Sequence, residues 1–374
     1  MIYRNIQILR FIAAFLVVLH HTLPPNVHPL HYAKIPEWLT ELSHYGFAGV
    51  DIFFVISGFI MAETTRPLQP GIITALNFVF RRYLRIYSGY WPIFMLMLFL
   101  SIWLGIFNGQ EINRLQSFLL LPQEYYLLSV SWTLTYELYF YLLVGTVLCF
   151  TRKQAVSVFI ALLAFFIAIV SVQYLQGIYR VTPARENIFI WNVFLTSPLV
   201  IEFIAGFLLS ELISKNPRQS VPAWTFFTAL ALFASIWTQK YGGLLDVGMA
   251  AFSYYPERVL LFGSAALGLV ALAAILPSPK GIFGGYLCRL GDASYGLYLL
   301  HVPMLVVLYG PLFPKILGLL WVGGGKLSLL VYLVTTVGVS LLYFIYIEQP
   351  LHRISRRIPE KIFTAAPQSV MPSK

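Results

Sequence analysis

The sequence predicts an all-α fold: a polytopic membrane helix bundle of about ten transmembrane helices, with both termini in the cytoplasm. Three observations predict it. Of 374 residues, 59% are hydrophobic and only 11% charged, with mean hydropathy +0.77. A soluble chain carries about 25% charged residues. Apolar runs of the length a bilayer demands fall at 6–23, 46–62, 86–107, 127–149, 155–174, 188–210, 223–239, 255–276, 293–310 and 327–347. With the N-terminus inside, the inner segments carry seventeen Lys and Arg and the outer ones eight. That asymmetry orients a chain in a membrane, so the net charge of +10 is read as topology and not as nucleic-acid affinity. One transmembrane domain is expected over 1–350, with 351–374 a short basic cytoplasmic tail.

The first run is bracketed by Arg10 and His21, with FIAAFLVVLH between them. Eleven helical steps return His21 to within ~20° of the Arg10 face, roughly 16 Å further along the axis. The neighbouring His20 sits ~80° off that face. Ionisable groups inside a span are costly and mark function. The run has the basic start of a signal peptide. The HTLPPNVHPL that follows holds no small-residue cleavage site, so it reads as a retained span. The outer loop at about 24–45 carries His28, His31 and His44 among Pro24, Pro25, Pro29 and Pro36. Their spacing matches no compact ligand motif. Cys149 and Cys288 lie beside apolar runs without metal spacing, and no metal is expected.

The second run begins GFAGVDIFFVISGFIM. It runs inward, which puts Asp51 at the depth of His21. A carboxylate there either orients the imidazole or caps the helix start. Gly46, Gly49 and Gly58 suit close helix packing. The third run is entered through FVFRRYLRIYSGYW, where Arg81, Arg82 and Arg85 share broadly one helix side. Three guanidiniums at a membrane surface suit phosphates, and equally lipid headgroups. The fourth contains SVSWTLTYELYFYLL, with Glu137 deep among Trp132, Tyr136, Tyr139 and Tyr141. Glu137 is placed to bind a hydroxyl, tune His21 or pair with an arginine. The sixth holds Glu202. The ninth, GDASYGLYLLHVPM, puts His301 at mid-membrane, as a ligand group or an interhelical hydrogen-bonder. The last ends IEQP, where Glu348 is expected to pair with a cytoplasmic arginine.

No glycine-rich phosphate loop of the P-loop kind, GxSxG elbow or HExxH occurs. ATP-driven transport and metalloprotease chemistry lose ground accordingly.

Taken in order, the blocks LRFIAAFLVVLHHT, GVDIFFVISGFIM, RRYLRIY, SWTLTYELYFYL, GDASYGLYLLHVP and the closing EQP resemble the acyltransferase 3 family of integral-membrane O-acyltransferases. The opening IQILRFIAAFLVVLHH is most similar to its exopolysaccharide-modifying branch. The resemblance implies ten core helices in a bacterial cytoplasmic (inner) membrane. It implies an acyl-CoA donor, acetyl-CoA by default, entering from the cytoplasm as co-substrate. The acceptor it implies is a hydroxyl of a polysaccharide or lipid-linked sugar. The family's arginine–ten residues–histidine motif falls on Arg10 and His21, its RxxR on Arg82 and Arg85, and its aromatic-flanked carboxylate on Glu137. Ser88 stands where the family has proline. Many relatives carry a soluble esterase-like domain after the last span, and none is expected after Pro350.

The site expected from these readings uses Arg10, Arg82 and Arg85 for the phosphates of acyl-CoA. His21 is the general base, an imidazole having an ordinary pKa near 6.5. Asp51 or Glu137 supports it. Trp132, Tyr136 and His301 meet the acceptor, the aromatics by stacking on a sugar face. The rival from another class is a secondary transporter or flippase for a lipid-linked sugar, which also places charges and aromatics around a central cavity.

Overall fold

The computed structural model describes residues 3–23, 35–106, 112–180, 187–215, 220–242, 256–309 and 325–364. Among these, all regular structure is helical, and the chain is a polytopic membrane bundle. His28 and His31 lie outside the described residues.

In chain order the first elements are α1 (Arg4–Thr22), α2 (Glu37–His44), α3 (Ala48–Thr65), α4 (Ile72–Trp103), α5 (Arg114–Leu119), α6 (Trp132–Val147) and α7 (Arg152–Leu175). After them come α8 (Asn187–Leu195), α9 (Leu199–Lys215), α10 (Val221–Gly242), α11 (Pro256–Arg258), α12 (Ser264–Ile275), α13 (Ile282–Asp292), α14 (Ser294–Tyr309), α15 (Gly325–Tyr343) and α16 (Gln349–Thr364). Two π-turns interrupt the helices, at Val259–Gly263 after α11 and at Phe344–Glu348 before α16.

Eight helices among the described residues are long and apolar enough to cross a bilayer, or nine if α13 and α14, bent by 60°, count as one. This agrees with the expectation of about ten spans, and the difference falls on one run. The run at 127–149 yields only the sixteen residues of α6. Residues before it follow a non-helical path: Leu120 closes α5 in the left-handed region at φ 54°. Tyr126 then ties the path down, its hydroxyl 2.8 Å from the Leu121 carbonyl and 2.9 Å from Thr135 Oγ1. Burial raises the Tyr126 hydroxyl pKa above its ordinary value. The helix around RRYLRIY is longer than expected, since α4 starts at Ile72 and runs for 32 residues.

α3 is the centre of the bundle, packed on α1 and α9. Its contact with α9 is reciprocal: a Cβ on Gly58 would strike the Phe203 carbonyl, and a Cβ on Gly206 would strike that of Val55. Without lipid-excluded hydrophobic drive between helices, such close backbone approach supplies the packing energy. Phe140 and Phe203 stack at 4.2 Å beside it.

At the α3 C-terminus a charged network joins α3, α7 and α9. Glu63 meets Arg66 at 2.7 Å, and Glu211 accepts from Arg66 at 3.1 Å and from Arg152 at 2.5 Å. Ser210 donates to Glu63 at 2.7 Å. Arg66 and Arg152, read from sequence only as topological charges, are therefore also structural.

Candidate active site

One cavity holds about 960 Å³ and is walled by α1, α3, α4, α6, α14 and α16. Its polar lining contains Arg10, Arg82, Arg85, Glu137, Glu348 and His352. Four residues expected from sequence, on three separate helices, thus converge on one space. Arg10 is steadied by Gln7, which accepts from Nη1 at 3.2 Å. Arg82 lies over the rings of Phe78 and Tyr141, 5.4 and 5.8 Å from their centroids, and donates to Thr64 Oγ1 at 3.0 Å. Aromatic faces hold a guanidinium while leaving its donor fork available. Glu137 accepts a short hydrogen bond from the Tyr141 hydroxyl one turn along α6.

Glu348 reaches this cavity, where its Oε1 lies 4.0 Å from His352 Nδ1, a charge pair only when that imidazole is protonated. The expected partner was an arginine. The π-turn ending on Glu348 delivers it, in keeping with the habit of π-turns to sit at functional positions.

Towards the other end the lining turns aromatic, with Phe53, Phe54 and Tyr298 beside Thr133. The Thr133 and Tyr298 hydroxyls meet at 3.0 Å, and the Tyr298 hydroxyl donates to the Val130 carbonyl at 3.2 Å. His21 is not part of the cavity lining.

His21 stands just beyond. His301 Nε2 lies 3.1 Å from His21 Nδ1, with the two rings stacked at 5.0 Å. The Tyr298 ring is 6.0 Å from that of His301. His301 is fully buried, and the Tyr332 hydroxyl donates to its carbonyl at 3.0 Å. His21 Nδ1 also faces the Val17 carbonyl at 3.1 Å. A carbonyl only accepts, so a proton on Nδ1 satisfies Val17 and leaves Nε2 with the free lone pair. His20 turns away, as its helical phase requires, and its Nδ1 donates to the Ser43 carbonyl at 2.9 Å.

Two expectations are corrected. Asp51 does not orient His21. It is fully buried in a bidentate pair with Arg258, at 2.7 Å to Nη2 and 3.1 Å to Nε. The same guanidinium lies 4.7 Å from the Phe47 ring centroid. Tyr136 offers no face to a sugar, being fully buried among Phe54, Phe140, Phe194 and Trp132 at ring distances of 4.7–6.2 Å. Trp132 packs edge-on to Phe54 and is absent from the cavity lining.

The residues that sequence reasoning missed are Tyr295, Tyr298 and His352. A signal existed for two of them. Tyr295, Tyr298 and His301 recur at intervals of three, which places them on one face of α14.

A helical membrane bundle with basic and carboxylate groups in one cavity, and a histidine pair beside one of its lining tyrosines, has the parts of a membrane-embedded group-transfer enzyme. The family model described as an acyltransferase domain matches residues 3–345, and the chain belongs to that family. It is similar to the exopolysaccharide production protein ExoZ of Rhizobium meliloti strain 1021, at 29% identity over 269 residues. That match covers 68% of this chain and 75% of the relative. No solved structure matches.

Proposed function

We propose that this acyltransferase moves an acyl group, acetyl by default, from cytoplasmic acyl-CoA to a sugar hydroxyl of an exported polysaccharide in the bacterial inner membrane. The observation that carries this reading is the gathering of Arg10, Arg82 and Arg85 in one cavity that is also lined by Tyr298, whose ring lies 6.0 Å from that of His301, the neighbour of His21. The relative's printed role in exopolysaccharide production supports the acceptor class.

In this mechanism both termini are cytoplasmic, and the basic mouth opens inward. The arginines hold the phosphates of acyl-CoA, and the pantetheine arm extends along the Arg10–His21 face of α1. The acceptor approaches from the other side of the membrane. His21 Nε2 takes the proton of the sugar hydroxyl as its oxygen attacks the thioester carbonyl. A C–O bond forms, the C–S bond breaks, and the CoA thiolate recovers the proton from the imidazolium. Glu137, held by Tyr141, faces the cavity midway and positions the arm. The Tyr298–Thr133 contact must part for the thioester to reach His21, and its closure keeps water from the thioester between turnovers.

Mass spectrometry of surface polysaccharide from cells carrying wild type, His21→Ala or no protein tests the reading. Loss of one ester in both altered strains is expected. Retention of every ester in the strain lacking the protein overturns it, and so does loss of polymer export with esterification intact, which is the outcome for a flippase.

A further inference from the structure

A second cavity of about 1230 Å³ lies between α4 and α16 and joins the first through Ile60, Arg82, Arg85 and His352, which line both. Its wall adds Arg81 from α4 and Arg356 from α16. Four arginines thus face one groove, and no Asp or Glu lines it. Arg81 pairs with the exposed Glu360 at 3.6 Å, and the carboxylates Glu137 and Glu348 lie on the first-cavity side of Arg82 and Arg85. A groove lined by four guanidiniums and no carboxylate suits a polyanion.

α16 is fixed in place by its packing along α4. His352 Nε2 donates to the Arg85 carbonyl at 3.0 Å, and Phe363 packs edge-on to Phe80 at 6.3 Å. His352 and Arg356 are one turn apart, so they share the face that closes the groove. Sequence reading assigned this stretch to a tail. In the structure it is a wall of the charged cavity.

The order of charges along the groove has a chemical match. Arg82 and Arg85 sit at the junction with the first cavity, while Arg81 and Arg356 line only the second. Coenzyme A carries its pyrophosphate next to the pantetheine arm and its 3′-phosphate further out, on the ribose. We propose that the second cavity is the nucleotide subsite of the donor, with Arg356 of α16 binding the 3′-phosphate. The inference rests on the donor reading above and goes beyond it, because it assigns the outer phosphate to a residue outside the six sequence blocks. The phosphomonoester brings about two negative charges, and Arg356 supplies a planar fork to meet them.

Binding of CoA and of 3′-dephospho-CoA to the full chain in zwitterionic nanodiscs separates the possibilities. Wild type is expected to bind CoA more tightly than dephospho-CoA. Arg356→Ala weakens CoA roughly tenfold and leaves dephospho-CoA unchanged, and Arg356→Lys recovers part of the loss. Arg356 is exposed, so its truncation leaves the bundle core untouched. Equal weakening of both ligands, or of neither, overturns the assignment. An effect of Arg356→Ala seen only on capture of anionic-lipid vesicles also overturns it, in favour of a lipid-headgroup site. If wild type binds neither ligand, the donor reading itself fails. If wild type binds CoA and Arg82→Ala abolishes it while Arg356→Ala does nothing, only the 3′-phosphate subsite fails.

Discussion

His301 Nε2 contacts His21 Nδ1 at 3.1 Å, although the two residues are 280 positions apart. Two imidazoles at that distance share one proton between the facing nitrogens, since protons on both would set N–H against N–H with no acceptor. His301 therefore helps to choose which His21 nitrogen is free. Outer partners of a catalytic imidazole commonly fix its tautomer in this way.

His301→Leu is expected to lower kcat by roughly 10²-fold, the scale of general-base assistance, with KM for acyl-CoA unchanged. His301→Gln, which keeps a polar group near the Nε2 position, is expected to recover part of that rate. Steady-state kinetics on purified protein reads both. Equal rises in KM for both variants would assign His301 to substrate binding.

Arg82→Ala and Arg85→Ala are expected to raise KM for acyl-CoA by about tenfold or more, with a smaller effect on kcat, since each removes charge-assisted hydrogen bonds to phosphate. Lysine at either position restores the charge without the fork. The wild-type KM is also expected to rise with salt.

The Asp51–Arg258 pair is fully desolvated. Arg258→Met alone leaves a buried carboxylate without its partner, and destabilisation by about 3–5 kcal/mol is expected. The double change Asp51→Leu with Arg258→Met should recover much of that loss. Thermal unfolding in detergent measures it. A catalytic role for Asp51 predicts instead that the double variant folds and is inactive.

Thr133→Val removes the hydrogen bond between the Thr133 and Tyr298 hydroxyls in the lining of the first cavity. A rise in acceptor-independent acyl-CoA hydrolysis is expected, followed as free thiol released. Unchanged hydrolysis would show that Tyr298 alone closes the passage.

Gly58→Leu is expected to abolish the folded protein, because the α9 backbone occupies the space of any Cβ there. Overpacking of a smaller kind costs about 1–3 kcal/mol. Size-exclusion chromatography in detergent reports the loss.

The site residues legible from sequence are those whose meaning is local. Arg10 and His21 declare a shared stripe by helical phase, and Arg82 and Arg85 share a face by spacing. What stayed hidden depends on distant pairing. Nothing near Asp51 points to Arg258, which arrives from 207 positions away, so the nearest imidazole at similar depth was the natural expectation. Tyr136 shows the same limit from the other side. Its aromatic company reads equally as a sugar platform or a core, and only the packing of Phe194 and Phe54 decides. The length of α6 was overestimated because hydropathy does not register the turn at Ser129–Ser131.

The π-turn ahead of Glu348 carries a genetic consequence. Its i→i+5 bonding uses one residue more per turn than an α-helix. Deleting one of the codons for 344–347 would let the segment relax to regular α-helix with the phase downstream nearly unchanged, because the bulge absorbs the extra residue, whereas deleting one codon from 349–351, in the regular turn that follows, would rotate everything downstream by ~100°. In the second case His352 and Arg356 would leave the cavity together. Such a frame-preserving deletion would look harmless in a list of variants and would empty one wall of the pocket.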